Sequence, residues 1–319
     1  MIVAHPPHPK GEGAPHGAAV WLDLTDPNEA ERSLVEDHAG VRLPTRSELA
    51  EIEQSSRLAY RDGVLRLTAP VIAKADTDHP SLSEVGLILT ARLLITVRYD
   101  HLKSFEAAAD KIDAEGPPAS GPDAFITLLE AFVDRQADLL EEARARLDQI
   151  SHRVFRRSTA DPLRARLSGG VMRERLQTLG RIGERISMIR ESLLAVERMV
   201  PFALDSAKDW FAGDLGVRLK GVREDIGSIS LFEEHLLGKV QFLLDAVLGF
   251  ISIEQNDIFK VLTIASVVGI FPTLVVGWYG MNFHNMPEFG WRYGYQFGIA
   301  AIVLSTIAPL LWFKWRGWL

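Results

Sequence analysis

Apolar residues fall along this chain in three rhythms, and each predicts a different kind of structure. Over residues 18–115 they come in short runs between polar stretches. Ala19–Leu24, Val64–Ala73, Glu84–Leu89 and Leu93–Tyr99 read as strands, with Thr90-Ala91-Arg92 as the turn between the last two. Asp26-Pro27 predicts a helix start, with Asp26 as its cap and its end near His38. Thr45 with Glu48 forms a capping box for a helix reaching about Gln54, and Ser104–Asp113 reads as another helix. Strands interleaved with helices predict an α/β domain with a mixed sheet.

The second rhythm is helical. Glu115–Pro122 is rich in proline and glycine and reads as a linker. Asp123–Arg157 then places apolar residues at helical spacing. A second long helix is expected from Asp161-Pro162 to about Met199, ahead of Pro201, with Gly169-Gly170 as a point of interruption. Together they predict an antiparallel hairpin over 123–205. Next, Ile226, Ile229, Leu236, Val240, Leu243, Val247 and Phe250 recur three and four residues apart, giving a stalk helix over 218–257. No proline lies between Pro201 and Pro272, so this helix can run on from Val222 to Asn282. That would be 61 residues, about 90 Å long. The alternative is two helices with a bend at Glu254–Asp257. A stripe sustained so far predicts bundling with copies of itself.

The third rhythm is continuous. Val261–Pro287 and Tyr293–Phe313 hold no charged residue. Each is long enough to cross a hydrocarbon core of about 30 Å, so a membrane hairpin is expected over 258–319, with spans near 260–281 and 294–313. Lys260, Lys314 and Arg316 flank the spans, whereas the loop between them holds Glu288 and Arg292. The positive-inside rule therefore predicts a multi-pass protein of the inner (plasma) membrane with both termini cytoplasmic. Trp278, Tyr279, Trp291, Tyr293 and Tyr295 near one face, and Trp312, Trp315 and Trp318 near the other, read as aromatic belts against the lipid bilayer.

Composition narrows the chemistry. Net charge is −7, which argues against nucleic acid as a partner. There is no cysteine, hence no disulfide and no thiolate metal site. Residues 1–17, with His5, His8 and His16 among prolines and glycines, read as a flexible leader and lack the apolar core of a signal peptide. No glycine-rich phosphate loop, His-Glu-x-x-His or nucleophile elbow occurs, so an enzyme is not expected and no cofactor is called for. Asp76, Asp78 and His79 read as a polar turn.

Tyr279-Gly280-Met281-Asn282-Phe283, Met286-Pro287-Glu288, Trp291 and Gly294-Tyr295 resemble the signature of the CorA family of divalent-cation channels. The match extends back through Asn256, Lys260–Thr263, Pro272 and Gly277, and forward to Lys314–Leu319. The resemblance implies a funnel-shaped homopentamer whose pore is lined by the first span. It implies Mg²⁺ influx, with Co²⁺ or Ni²⁺ tolerated, and closure when cytoplasmic Mg²⁺ is high. Gly280, Met281 and Asn282 would then form the selectivity filter. Mg²⁺ sheds water reluctantly, so neutral oxygens from Asn282 side chains and backbone carbonyls suit its hydrated form. Copies of Glu288 would gather cations at the entrance.

Helical spacing and the resemblance together name Asn256, Phe259, Leu262, Ile270, Thr273 and Gly277 as pore-lining or gating residues, the apolar ones closing by dewetting. The family's gating uses acidic residues between cytoplasmic domains. The position aligned with one of them is Gly221 here, which leaves Glu224 and Asp225 as candidates for a regulatory metal. Two other functions compete: a ZntB-like Zn²⁺ transporter, for which His284 beside the filter offers an imidazole, and a membrane-anchored scaffold. The polar residues Asn256, Thr263, Ser266 and Thr273 in or near the first span speak against a scaffold.

Overall fold

The computed structural model describes residues 1–5, 19–51, 53–77, 79–156, 169–281 and 286–318. Contacts divide the chain into two units. One holds Met1–Ala160 and Glu174–Leu244; the other holds Asp161–Arg173 and Asp245–Leu319.

The first unit is built on six strands: β1 (Ile2–His5), β2 (Trp21–Thr25), β3 (Leu58–Arg61), β4 (Val64–Ala73), β5 (Ser81–Leu89) and β6 (Leu94–Arg98). They lie in the order β1-β2-β6-β5-β4-β3. Only β2 and β6 run parallel, so the sheet is mixed, as the interleaved pattern predicts. One face closes over Leu22, Leu24, Leu43, Leu49, Ile88 and Val97 together with Val35 of α1 (Glu29–Ala39). The short α2 (Arg46–Leu49) and α3 (Gln54–Arg57) follow.

Asp23, Thr96, Arg98 and Trp21 pair with one another inside the sheet. Trp21 Nε1 donates to Thr96 Oγ1 at 3.0 Å, and Thr96 Oγ1 donates to Asp23 Oδ1 at 2.7 Å. Arg98 Nη2 donates to Asp23 Oδ2 at 2.8 Å, both side chains being nearly buried. A buried ion pair needs this density of partners to offset its desolvation.

Long helices complete the first unit: α4 (Lys103–Glu115), α5 (Gly121–Arg156), α6 (Gly169–Ser206, within this unit from Glu174 on) and the first half of α7 (Asp214–Tyr279). Lys239 pairs with Asp148, and Arg218 with Asp123 and Glu130, so α7 runs parallel to α5. Arg190 faces Glu233 and Gly183 approaches Val240, so α6 runs antiparallel to α7. The second unit holds the rest of α7, a 3-10 turn at Pro287–Gly290 and α8 (Gly294–Trp315).

The structure corrects several expectations. The leader expected over 1–17 begins as β1: Val20 donates its N–H to the His5 carbonyl, and the terminal ammonium meets Glu31 at 3.0 Å. His8 and His16 lie outside the described residues. Strand β3 was not anticipated. It is joined to β4 by Asp62-Gly63, with φ of 53° and 72°, the left-handed pair that a two-residue hairpin requires. Asn28 rather than Asp26 caps α1, in a capping box with Glu31. Asp26 has φ 45°, which is incompatible with the extended backbone of a cap. The Thr45–Glu48 box is present, but its helix stops at Leu49 instead of reaching Gln54. The α6 helix passes through Pro201, where burial of Met199, Val200 and Ala203 outweighs a proline cost of about 3 kcal/mol. Its expected start at Asp161-Pro162 lies outside the described residues. The alternative of two separate helices meeting at Glu254–Asp257 does not form, for α7 is one helix of 66 residues.

Candidate functional site

The second half of α7 carries the residues singled out for a pore. With about 100° of turn per residue, Asn256, Phe259, Leu262, Ile270, Thr273 and Gly277 fall within about 120° of one another. Thr263, Ser266 and Gly280 share that sector. All nine are exposed. Every covered position from Lys260 to Tyr279 — Lys260, Ile264, Val267, Val268, Pro272, Val275 and Tyr279 — lies in the complementary sector. The chain thus covers part of one side of this helix and leaves the other open, with Asn256, Thr263, Ser266 and Thr273 on the open side.

Local bonding suits these polar residues to a wet surface. Thr273 Oγ1 donates to the Gly269 carbonyl at 2.8 Å, and Thr263 Oγ1 to the Phe259 carbonyl at 2.7 Å. Each hydroxyl proton is used within the helix, which leaves the oxygen lone pairs as acceptors. Gly280 closes the last turn, donating to the Val276 carbonyl at 2.9 Å. A Cβ there would meet the Val276 oxygen at 3.1 Å, so a larger residue would press on the turn. Met281 is exposed. The terminal carbonyls give this helix end partial negative charge, which favours a cation. Asn282, Phe283 and His284 lie outside the described residues, and so does the side chain of Glu288, which the Pro287–Gly290 turn carries.

Aromatic groups mark both ends of α8. Trp291 contacts Tyr293 and Phe297, with ring centres 6.4 and 5.7 Å apart. At the other end Trp318 stacks on Phe313, and Arg316 lies over Trp312. Gly317 at φ 70° ends α8: its N–H reaches the Lys314 carbonyl, and Trp318 N–H reaches that of Phe313. This Schellman geometry needs a left-handed residue. Two helices, the one at Asp214–Tyr279 and the one at Gly294–Trp315, are long and apolar enough to cross a membrane, and their apolar stretches are largely exposed.

The two candidate regulatory acids, in the first unit, differ in surroundings. Both Glu224 and Asp225 are exposed on α7. Asp225 acts on Asp134 of α5. Burial pushes the Asp134 carboxyl above its ordinary range, and Asp138, Glu130 and Asp225 add repulsion against the pull of Lys111. Burial also pushes Glu130 up, but hydrogen bonds from Arg218 and Lys111 outweigh it and leave its carboxyl below the usual range. Sequence reasoning passed over Asp134 and Asp138, exposed carboxylates on a long helix, whose mutual repulsion only their placement beside Asp225 makes visible. Among the described residues no three His, Asp or Glu side chains of one chain are arranged to hold a metal. His79 belongs to a turn, its N–H donating to Thr77 Oγ1, and Asp76 is held by Lys103 and Arg135. Asp78 lies outside the described residues.

Comparison with known proteins accords with this layout. The CorA-like Mg²⁺ transporter protein family matches residues 16–315. A magnesium transport protein CorA of Escherichia coli K12 is 32% identical over 311 residues, covering 97% of this chain and 94% of that protein. The complete CorA magnesium transporter structure from Methanocaldococcus jannaschii superposes with a TM-score of 0.78 at 15% identity, covering 100% of this chain and 98% of the other. A ZntB cytoplasmic domain from Vibrio parahaemolyticus covers 71% of this chain and 85% of its own, with a TM-score of 0.53 at 12% identity. With a family match over almost its whole length and two exposed apolar helices at its end, the chain belongs to the CorA-like Mg²⁺ transporter family.

Proposed function

We propose that this protein carries Mg²⁺ across the inner membrane as a homopentamer, through a pore lined by the open face of α7. One observation supports this above the others: Asn256, Thr263, Ser266, Thr273 and Gly277 of α7 share a sector that its own chain leaves uncovered. Copies arranged around an axis would bring Asn256, Thr273 and Gly277 to a common channel. Phe259, Leu262 and Ile270 would narrow it with apolar rings, and Gly280, Met281 and Asn282 would form the filter. Thr263 and Thr273 would present hydroxyl oxygens to the water around the ion, and Glu288 would concentrate cations at the mouth. Both termini would be cytoplasmic. Co²⁺ and Ni²⁺ are further candidate substrates, since neutral oxygens around a hydrated ion discriminate weakly among dications. The likeness to a ZntB domain is one of fold and favours no particular ion.

Regulation fits the exposed Asp225, which would bind a dication only together with acids of a neighbouring copy, and Asp134 and Asp138 add negative charge nearby. Their repulsion would be relieved by a dication, and Glu224 could supply further oxygens. High cytoplasmic Mg²⁺ would then close the channel by filling this site. This protein acts on no bond and needs no cofactor.

The test is uptake by proteoliposomes of Mg²⁺, Co²⁺, Ni²⁺ and Zn²⁺ in parallel. Wild type should pass Mg²⁺, and Asn282→Ala should abolish selective entry while the protein keeps its oligomeric state. Unchanged uptake in Asn282→Ala would remove the filter from this account, and entry of Zn²⁺ alone would turn it toward the zinc branch.

A further inference from the structure

Among the described residues, Arg61 of β3 and Arg66 of β4 make no hydrogen bond and no ion pair. The strand register pairs Arg61 with Val64 and Ala59 with Arg66. Arg61 and Arg66 are therefore diagonal neighbours on one face of the hairpin, their backbones roughly 7–8 Å apart. It is the face from which Val64 joins Leu43, Leu49 and Ile88 in the core. Arg61 is exposed and Arg66 is partly buried. The arginines around them are all engaged. Arg32 holds the Leu43 and Pro44 carbonyls, Arg42 pairs with Glu48, Arg46 lies over the Tyr99 ring and Arg57 pairs with Glu84.

Both free arginines line a groove of about 400 Å³ between the β3–β4 pair and the segment around α2. Arg42 lines it too, with 73% of its side chain exposed. Thr68 of β4 adds a hydroxyl, and Pro44 and Ala59 add an apolar wall. Two carboxylates also reach the groove. Glu48 is already occupied, accepting from Thr45 and from Arg42. Glu51 is exposed and lies beyond ion-pair distance of both free arginines. The groove thus sets three guanidiniums against two carboxylates. Its two uncompensated cations are neighbours, and like charges so placed repel. No contact within the chain offsets that repulsion.

We propose that this groove binds a small organic phosphate, whose phosphate group bridges Arg61 and Arg66. A planar carboxylate is satisfied by one guanidinium fork, whereas a tetrahedral phosphate turns oxygens toward several donors at once. The Thr68 hydroxyl can donate to the same group, and Arg42 can meet a second phosphate. The apolar wall calls for an organic portion, and the groove has the size of a small-ligand site. The site belongs to the first unit and stands whatever ion the second unit carries.

Isothermal titration of the full-length protein in detergent tests it. The ligands are inorganic phosphate, pyrophosphate, AMP and ADP, with sulfate as the control, at one ionic strength and without divalent cations. Wild type should bind AMP more tightly than inorganic phosphate, and ADP more tightly than AMP. Arg61→Gln and Arg66→Gln should each weaken ADP binding about tenfold, the loss expected for a hydrogen bond to a charged group. Glu51→Gln should tighten it by removing a competing negative charge. Melting without ligand is the second measurement: Arg61→Gln relieves a repulsion at an exposed position, so it should melt no lower than wild type. Four results overturn the site: no binding of phosphate compounds by wild type, no preference over sulfate, AMP bound no better than inorganic phosphate, or equal binding by wild type and both arginine variants. A lower melting temperature in ligand-free Arg61→Gln also overturns it, since Arg61 would then serve the fold.

Discussion

The two halves of α7 are one unbroken helix in opposite circumstances. Between Asp214 and Leu244 it buries Leu219, Val222, Ile226, Leu236, Val240 and Leu243 within its own chain. From Ile251 to Tyr279, Ile264 alone is buried, while Phe259, Leu262, Ile270 and Leu274 are each more than half exposed. Hydrophobicity by itself therefore does not say what a helix packs against. In the first half the periodic stripe is narrow and meets α5 and α6. In the second half apolar residues surround the helix, and one chain cannot cover them all. Lipid and other copies of the protein are the surroundings that such a surface calls for.

The sharpest way to break this contrast is to make the same truncation in each half. Leu236→Ala empties a position 1% exposed, and it should cost about 2–5 kcal/mol of stability. Leu262→Ala removes a side chain 60% exposed; it should leave the melting temperature of the first unit unchanged and, on the proposed function, alter Mg²⁺ leak through the closed channel. Differential scanning fluorimetry with proteoliposome flux separates the two. Equal melting shifts would mean that both halves are packed alike.

A polar tie distinguishes the halves at the next level. Arg218 binds Asp123 and Glu130 at the start of α7, with Lys111 as a second donor to Glu130. Its guanidinium is held more firmly protonated than usual, by Glu130 first and Asp123 second. Arg218→Met should cost about 1.5–3 kcal/mol, the range for hydrogen bonds to charged groups, and less to the extent that water screens this half-exposed cluster. The pH dependence has a definite sign. Glu130 is depressed in the folded state, so its contribution is present above the ordinary glutamate range and fades as pH falls through the lowered value. Wild type should lose this margin in acid, and Arg218→Met should show less of that acid loss. Melting curves across the acidic range check both statements.

The contrast also explains what could be read in the sequence. Strand β4 matches its apolar run residue for residue at Val64–Ala73, because a buried central strand states its own limits. The apolar helices were legible for a similar reason: uncharged stretches of that length have few other uses. Edge strands were not. Strand β1 has four residues and owes its position to pairing with β2. Strand β3 did carry a signal, the Asp62-Gly63 turn, which was overlooked. The proposal of Asn282 as a filter residue rests on motif alone.

The smallest expected effect tests the second half most finely. Thr273 uses its hydroxyl proton on the Gly269 carbonyl, so Thr273→Val removes one exposed hydroxyl and keeps the branched shape. Because that bond only doubles an acceptor already used by the helix ladder, folding should change by less than about 1 kcal/mol. The oxygen lone pairs, however, face the open sector. If hydrated Mg²⁺ passes there, losing one ring of acceptors should slow uptake and leave the oligomer intact, and Thr273→Ser should restore it. If the open sector faces lipid instead, valine is the better residue, and Thr273→Val should be at least as stable and as active as wild type. Uptake by these two variants therefore decides which surroundings this face of α7 has.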